Sequence, residues 1–277
     1  MSELLDAFAY DFLRNALAAG LLAAVLCGVV GTFVVIKRLA FVSDGISHAA
    51  FGGMGVCFFL GVDPLLGALP AALACALVLG LADQGSLRSS DAVIGVLWSV
   101  GMAVGIVFIY KSPGYAPNLM TYLFGNILLV QRREVVVIFL LAVAVLFLLY
   151  LFRRSLVAVA FDEVSARVQG VPVRALMTLL LALIALTVVI LIQVVGLILV
   201  VALLTIPPFV ALRLFKDLGR VVACSVAVGV AITLGGLALS FLYDLPTGPA
   251  IILLGAVLLL GVVAWKGAVV ARRGQVG

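Results

Sequence analysis

Long apolar runs alternate with short polar breaks along most of the chain. Crossing the hydrocarbon core of a bilayer takes about 20 mostly apolar residues in a helix. Runs of that kind cover residues 12–36, 40–60, 65–82, 92–110 and 135–152, then 173–193, 196–212, 221–242 and 247–265. Residues 117–130 are too short and too polar for an easy span and fit a re-entrant piece, which lipid tolerates only if it is buried in protein. The pattern predicts an all-α, polytopic membrane protein with eight to ten transmembrane helices. No soluble domain, low-complexity tract or internal repeat interrupts it, so residues 1–277 read as one transmembrane domain.

Composition strengthens this picture. Hydrophobic residues make up 66% of the chain and charged residues 10%, and the mean hydropathy is +1.41. Soluble domains carry about 25% charged residues, because their surface must stay wetted. Here the surface must face lipid. Glu3, Asp6 and Asp11 precede the first basic residue, Arg14, the reverse of a secretory signal peptide. The four cysteines lie scattered in apolar runs with no paired spacing and are expected to be small packing residues.

Charge then orients the spans. With nine spans and the C-terminus inside, 13 of the 17 lysines and arginines fall in cytoplasmic segments, as the positive-inside rule requires. Arg14, Lys111, Arg132 and Arg133 are left outside, the last two beside the segment that fits no span. The net charge of +5 therefore records loops facing anionic lipid, and no nucleic-acid partner is expected.

Polar residues at membrane depth cost several kcal/mol unless paired or hydrated, so they are the informative ones. His48 is the only histidine, and it stands four residues after Asp44. On a helix that spacing puts both side chains on one face, roughly 5–6 Å apart at Cβ. A carboxylate and an imidazole so placed can hold one divalent cation; they also fit a structural pair or a proton relay. Ser47 is positioned to add an oxygen. Gly52, Gly53 and Gly55 permit close helix approach. Pro207 and Pro208 remove backbone donors inside an apolar run and predict a kinked or broken helix, of the kind that lines some transport paths. Asp91, before an apolar run, fits an N-cap, and residues 245–249 fit a tight turn.

The longest cytoplasmic segment holds Phe161 to Gly170, FDEVSARVQG, which predicts a short charged helix stopped by Gly170 and Pro172. Such a helix lies on headgroups or docks a soluble partner. No phosphate loop, GxSxG elbow or HExxH motif is present, so the chain is expected to be a transport subunit and not an enzyme, with any ATP hydrolysis on a partner chain.

Six blocks in order carry a family resemblance: GVVGTFVVIKRLAFVSDGISHAA from Gly28, DAVIGVLWSVGMAVG from Asp91, YLFGNIL from Tyr122, the run from Phe161 to Gly170, VVALLTIP from Val200 and DLPTGP from Asp244. Together they resemble the permease subunits of bacterial ABC importers for zinc, manganese or iron, over nearly the whole chain. The resemblance implies a fold like that of type II ABC importers, in the bacterial cell (inner) membrane. It also implies two cytoplasmic ATP-binding subunits, an extracytoplasmic metal-binding protein and a second permease copy in a homodimer. Asp44 and His48 fall on the family's metal path, and Phe161, Asp162, Glu163, Ala166 and Gly170 on its dock for the ATP-binding subunit. The metal would be cargo and not a permanently bound cofactor, and ligand type alone favours zinc. Gly45 departs from the family's common alanine and loosens the expected spacing of Asp44 and His48. An ion-coupled secondary transporter, with Asp44 and His48 as a proton relay, and a non-transporting structural subunit are the competing readings.

Overall fold

The computed structural model describes residues 11–81, 91–112, 125 and 127–273. Eleven α-helices account for nearly all of the described residues, and no strand is found among them. In chain order they are α1 (Asp11–Ile36), α2 (Ala40–Phe59), α3 (Leu65–Leu81), α4 (Asp91–Lys111), α5 (Arg132–Leu151), α6 (Arg153–Phe161), α7 (Glu163–Val168), α8 (Val173–Val195), α9 (Leu197–Leu214), α10 (Leu218–Tyr243) and α11 (Thr247–Arg273). Seven are long and apolar enough to cross a bilayer. The two others at that depth fall short for visible reasons: α3 has 17 residues, and α2 is diluted by Ser43, Asp44, Ser47, His48 and its glycines. This is the multi-pass helical architecture that the apolar runs predict.

Cross-chain bonds fix which ends lie together. Arg174, at the start of α8, donates to the carbonyl of Leu81, at the end of α3. Lys37, just past α1, donates to Val159 of α6 and to Glu163 of α7. These contacts bring together helix ends that the charge pattern assigns to one side of the membrane.

Helices α1 and α8 form the buried centre, flanked on one side by α2, α3 and α4 and on the other by α9, α10 and α11. Lipid provides no hydrophobic drive between helices, so contact depends on small residues that let backbones meet. Helix α2 shows this on two faces. Gly52 and Gly55 meet Gly101 and Gly105 of α4, and Gly53 meets Gly67 of α3; a Cβ would overlap the opposite backbone at each of them except Gly105, where it would overlap the Phe51 ring.

Several expectations change here. Helix α9 is not broken at Pro207 and Pro208 but runs through both. Pro208 has no N–H for the carbonyl of Leu204, and that oxygen lies instead against Gly31 of α1, where a Cβ would overlap it. Gly196, with φ of 82°, separates α8 from α9 where the apolar runs 173–193 and 196–212 divide. The stretch from Phe161 to Gly170 is not one helix either: Phe161 ends α6, Asp162 is extended, and α7 restarts at Glu163. The stop at Gly170 stands, with φ of 79°. Residues 113–124 and 126, which hold most of the segment that fits no span, lie outside the described residues. Its described end is a 3₁₀ turn, Ile127–Leu129, held on α1 by a bond of 3.2 Å from Asn15 Nδ2 to the carbonyl of Val130. All four cysteines are free, with Cys27 and Cys75 buried.

Candidate functional site

Helix α2 carries Asp44 and His48 one turn apart without interruption at Gly45, so the helix is not loosened there. Gly45 has a local reason: a Cβ would come within 2.9 Å of Ile94 Cγ2 on α4. His48 Nε2 lies 3.6 Å from Asp44 Oδ1, too far for a hydrogen bond. It is a useful distance for a shared cation. Donors about 2.1 Å from one ion and 3.6 Å apart subtend roughly 120° at the metal, slightly wider than a tetrahedral angle.

The imidazole is 5% exposed and stacks on Trp98 of α4, with ring centroids 5.1 Å apart and planes 29° apart. Phe41 meets the same indole edge-on at 6.3 Å. His48 Nδ1 is buried without a hydrogen-bond partner among the described residues. Metal-bound histidines usually have the second nitrogen fixed by an acceptor; here the indole face holds the ring instead. Trp98, one of only two tryptophans, carries no spacing signal that would have tied it to His48.

These side chains line an open-sided recess of about 480 Å³, whose far wall is α9 from Leu197 to Ile206, with Thr205 as its polar member. Ser47 does not join it. Its hydroxyl is buried and donates to the carbonyl of Ser43 at 2.8 Å. Pro207 and Pro208 lie just beyond the wall, buried in α9. Among the described residues no third His, Cys, Asp or Glu joins Asp44 and His48. One chain therefore presents two protein donors and an open side.

The candidates between Phe161 and Gly170 separate by direction. Phe161 is exposed, as are Val164 and Val168 on one face of α7. Ala166 points inward and is buried. Glu163 turns toward Lys37, with Oε1 2.5 Å from Nζ. Asp162 caps α7 by accepting from the N–H groups of Val164 and Ser165, at 2.9 and 3.1 Å, and from the Ser165 hydroxyl at 2.6 Å. The Ser165 hydroxyl first, then these backbone donors, hold its carboxyl below the usual carboxylate range.

The fold is that of a multi-pass helical membrane protein, with a carboxylate–imidazole pair on α2. The sequence profile of the ABC 3 transport family matches residues 9–266. The chain belongs to that family and is a permease-type membrane subunit. An uncharacterized membrane protein of Synechocystis is 39% identical over 96% of this chain and 95% of its own length. A manganese transport system membrane protein of Halalkalibacterium halodurans is 34% identical over 90% of this chain and 85% of its own. Among solved structures, PsaBC from Streptococcus pneumoniae in complex with Fab superposes with a TM-score of 0.85 at 31% identity, covering 94% of both chains.

Proposed function

We propose that this chain is the membrane-spanning subunit of an ATP-driven importer of a divalent transition metal, and that cargo passes Asp44 and His48 on its way to the cytoplasm. The observation that carries the reading is the Asp44–His48 pair, 3.6 Å apart on a recess at membrane depth, in a chain of the ABC 3 transport family. Carboxylate oxygen with imidazole nitrogen accepts manganese, zinc or iron. Ligand type favours zinc, whereas the manganese transport names of relatives put manganese first.

The open side suggests a second copy. Asp44 keeps 21% of its side chain exposed, beside exposed Phe41, Trp98 and Ile198. A carboxylate left facing lipid costs about 2.5–3.5 kcal/mol at the bilayer centre. A second permease covering this face would remove that cost and add the donors that two ligands lack. On the cytoplasmic side, Phe161, Val164 and Val168 offer an apolar dock for an ATP-binding subunit. An extracytoplasmic binding protein would load the outer end. Family membership leaves the proton-relay and structural-subunit readings without support.

The test is uptake of radiolabelled manganese and zinc by proteoliposomes holding the chain, its ATP-binding subunit and its binding protein. His48→Ala should abolish ATP-dependent uptake while the ATP-binding subunit stays bound. Uptake equal to wild type at matched protein levels would remove His48 from the path.

A further inference from the structure

Helices α5 and α10 both pack on α1 but make no substantial contact with each other. The gap between them is a furrow of about 790 Å³ on the side of the molecule where inner ends gather. Val29 and Phe33 of α1 form its floor, and Leu149 of α5 and Val222 of α10 stand on its walls. Its inner end is basic. Arg153 and Arg154, at the start of α6, close it beside the first turn of α10 at Leu218 and Gly219. The Arg153 guanidinium sits 4.6 Å over the Tyr150 ring. Neither arginine has an acidic partner or hydrogen bond among the described residues. Asp217 caps α10 at the same end by accepting from the N–H of Arg220 at 3.1 Å, so the basic character of the furrow rests on the two arginines.

The segregation of the furrow, apolar along the span and doubly cationic where it reaches the cytoplasmic interface, is that of one lipid molecule. A protein helix laid there would have to bring its own carboxylate to the arginines. The described acids on the inner side are already engaged: Asp162 and Asp217 cap α7 and α10, and Glu163 holds Lys37. Among the described residues a second copy of this chain therefore supplies no free counter-charge. The inner leaflet does, since it carries anionic headgroups attracted to basic pockets between helices.

We propose that the furrow between α5 and α10 binds one anionic phospholipid of the inner leaflet, with an acyl chain along α1 and its phosphate at Arg153 and Arg154. The purified full-length chain, titrated with phosphatidylglycerol or with phosphatidylcholine of identical acyl chains, is read by native mass spectrometry. Phosphatidylglycerol should bind the more tightly. The double variant Arg153→Gln/Arg154→Gln should weaken it by about thirtyfold, roughly fivefold per arginine, to the level of phosphatidylcholine. The outer pair serves as control: Arg132→Gln/Arg133→Gln should leave it unchanged. Val29→Trp, which fills the floor, should weaken both lipids alike, with a thermal melt confirming that each variant is folded. Equal binding of the two lipids to the wild type, equal losses in both arginine double variants, or unchanged binding with the floor filled would each overturn the assignment.

Discussion

The contact between Lys37 and Glu163 ties the cytoplasmic segment to the root of the helix that carries the site. Lys37 follows the last turn of α1. Arg38 then turns the chain with φ of 55°, and α2 starts at Ala40, one turn before Asp44. Lys37 Nζ donates to the carbonyl of Val159, which the end of α6 leaves without an intrahelical donor, and lies 2.5 Å from Glu163 Oε1. The side chains are 12% and 24% exposed. Exposed pairs contribute about 0–1 kcal/mol, whereas removing one partner of a buried pair costs about 3–5 kcal/mol. This pair stands between, so a coupling of about 2 kcal/mol is expected.

A double-mutant cycle on Lys37→Met and Glu163→Gln, read by reversible unfolding in mixed micelles, measures that coupling directly. Lys37→Met should be the more damaging single change, because it takes a partner from both Glu163 and the Val159 carbonyl. The double variant should lose about 2 kcal/mol less than the sum of the singles. In the reconstituted importer, Glu163→Gln should lower metal moved per ATP hydrolysed more than it lowers ATP hydrolysis. Single effects that add to within about 0.5 kcal/mol would show that the two groups act independently, and the linkage would be refuted.

Two further predictions concern packing and the cap. Gly101→Ala would drive a Cβ into the carbonyl of His48 and should destabilise the protein by about 1–3 kcal/mol, whereas Gly95→Ala on the same helix, with open space around it, should be neutral or stabilising by up to ~1 kcal/mol; thermal unfolding of the two variants side by side decides this. Because the Asp162 carboxyl is held below its usual range, its contribution to α7 is fully present above the ordinary carboxylate pKa and lost as pH falls through the lowered value. Rate-corrected hydrogen exchange at Val164 and Ser165 should therefore be slow at neutral pH, speed up in acid below the ordinary carboxylate range, and be fast throughout in Asp162→Ala; a wild type indifferent to pH would remove the cap from the account.

How far the sequence foretells this protein depends on the range of the interaction. The spans were legible because lipid imposes one rule on every residue of a run, and Asp44 with His48 because a spacing of four on a helix is a local fact. Gly52, Gly53 and Gly55 announced close approach, but not that Gly101, Gly105 and Gly67 would be opposite them. Some failures are local, such as the interruption at Asp162 and the Ser47 hydroxyl turned onto Ser43, but others are long-range. Pro207 and Pro208 predicted a break by the correct local rule, yet the carbonyl that Pro208 leaves without a donor has its neighbour at Gly31, in a helix far away in the chain. Nothing local to Ala166 tells that its side of α7 packs inward, away from the docking face. Trp98 and the Lys37–Glu163 pair were invisible for the same reason.

The incompleteness of the site follows the same physics as its proposed use. A structural zinc site takes four protein ligands and holds its ion closed in, whereas a transport site must bind strongly enough to admit the ion and weakly enough to release it. Asp44 and His48 are two donors on one helix, with Trp98 steadying the imidazole and an apolar α9 across the recess. If α9 brought a third strong ligand, cargo would be trapped within a single subunit. If a second copy supplied the remaining donors, as proposed, relative motion of the two subunits would set how many ligands the ion has. The glycine contacts that pack α2 closely on α3 and α4 would then matter in a specific way: they would tie the helix that carries Asp44 and His48 to its neighbours in any such motion. A small shift between subunits would remove half of the coordination at once, without either ligand changing its own rotamer.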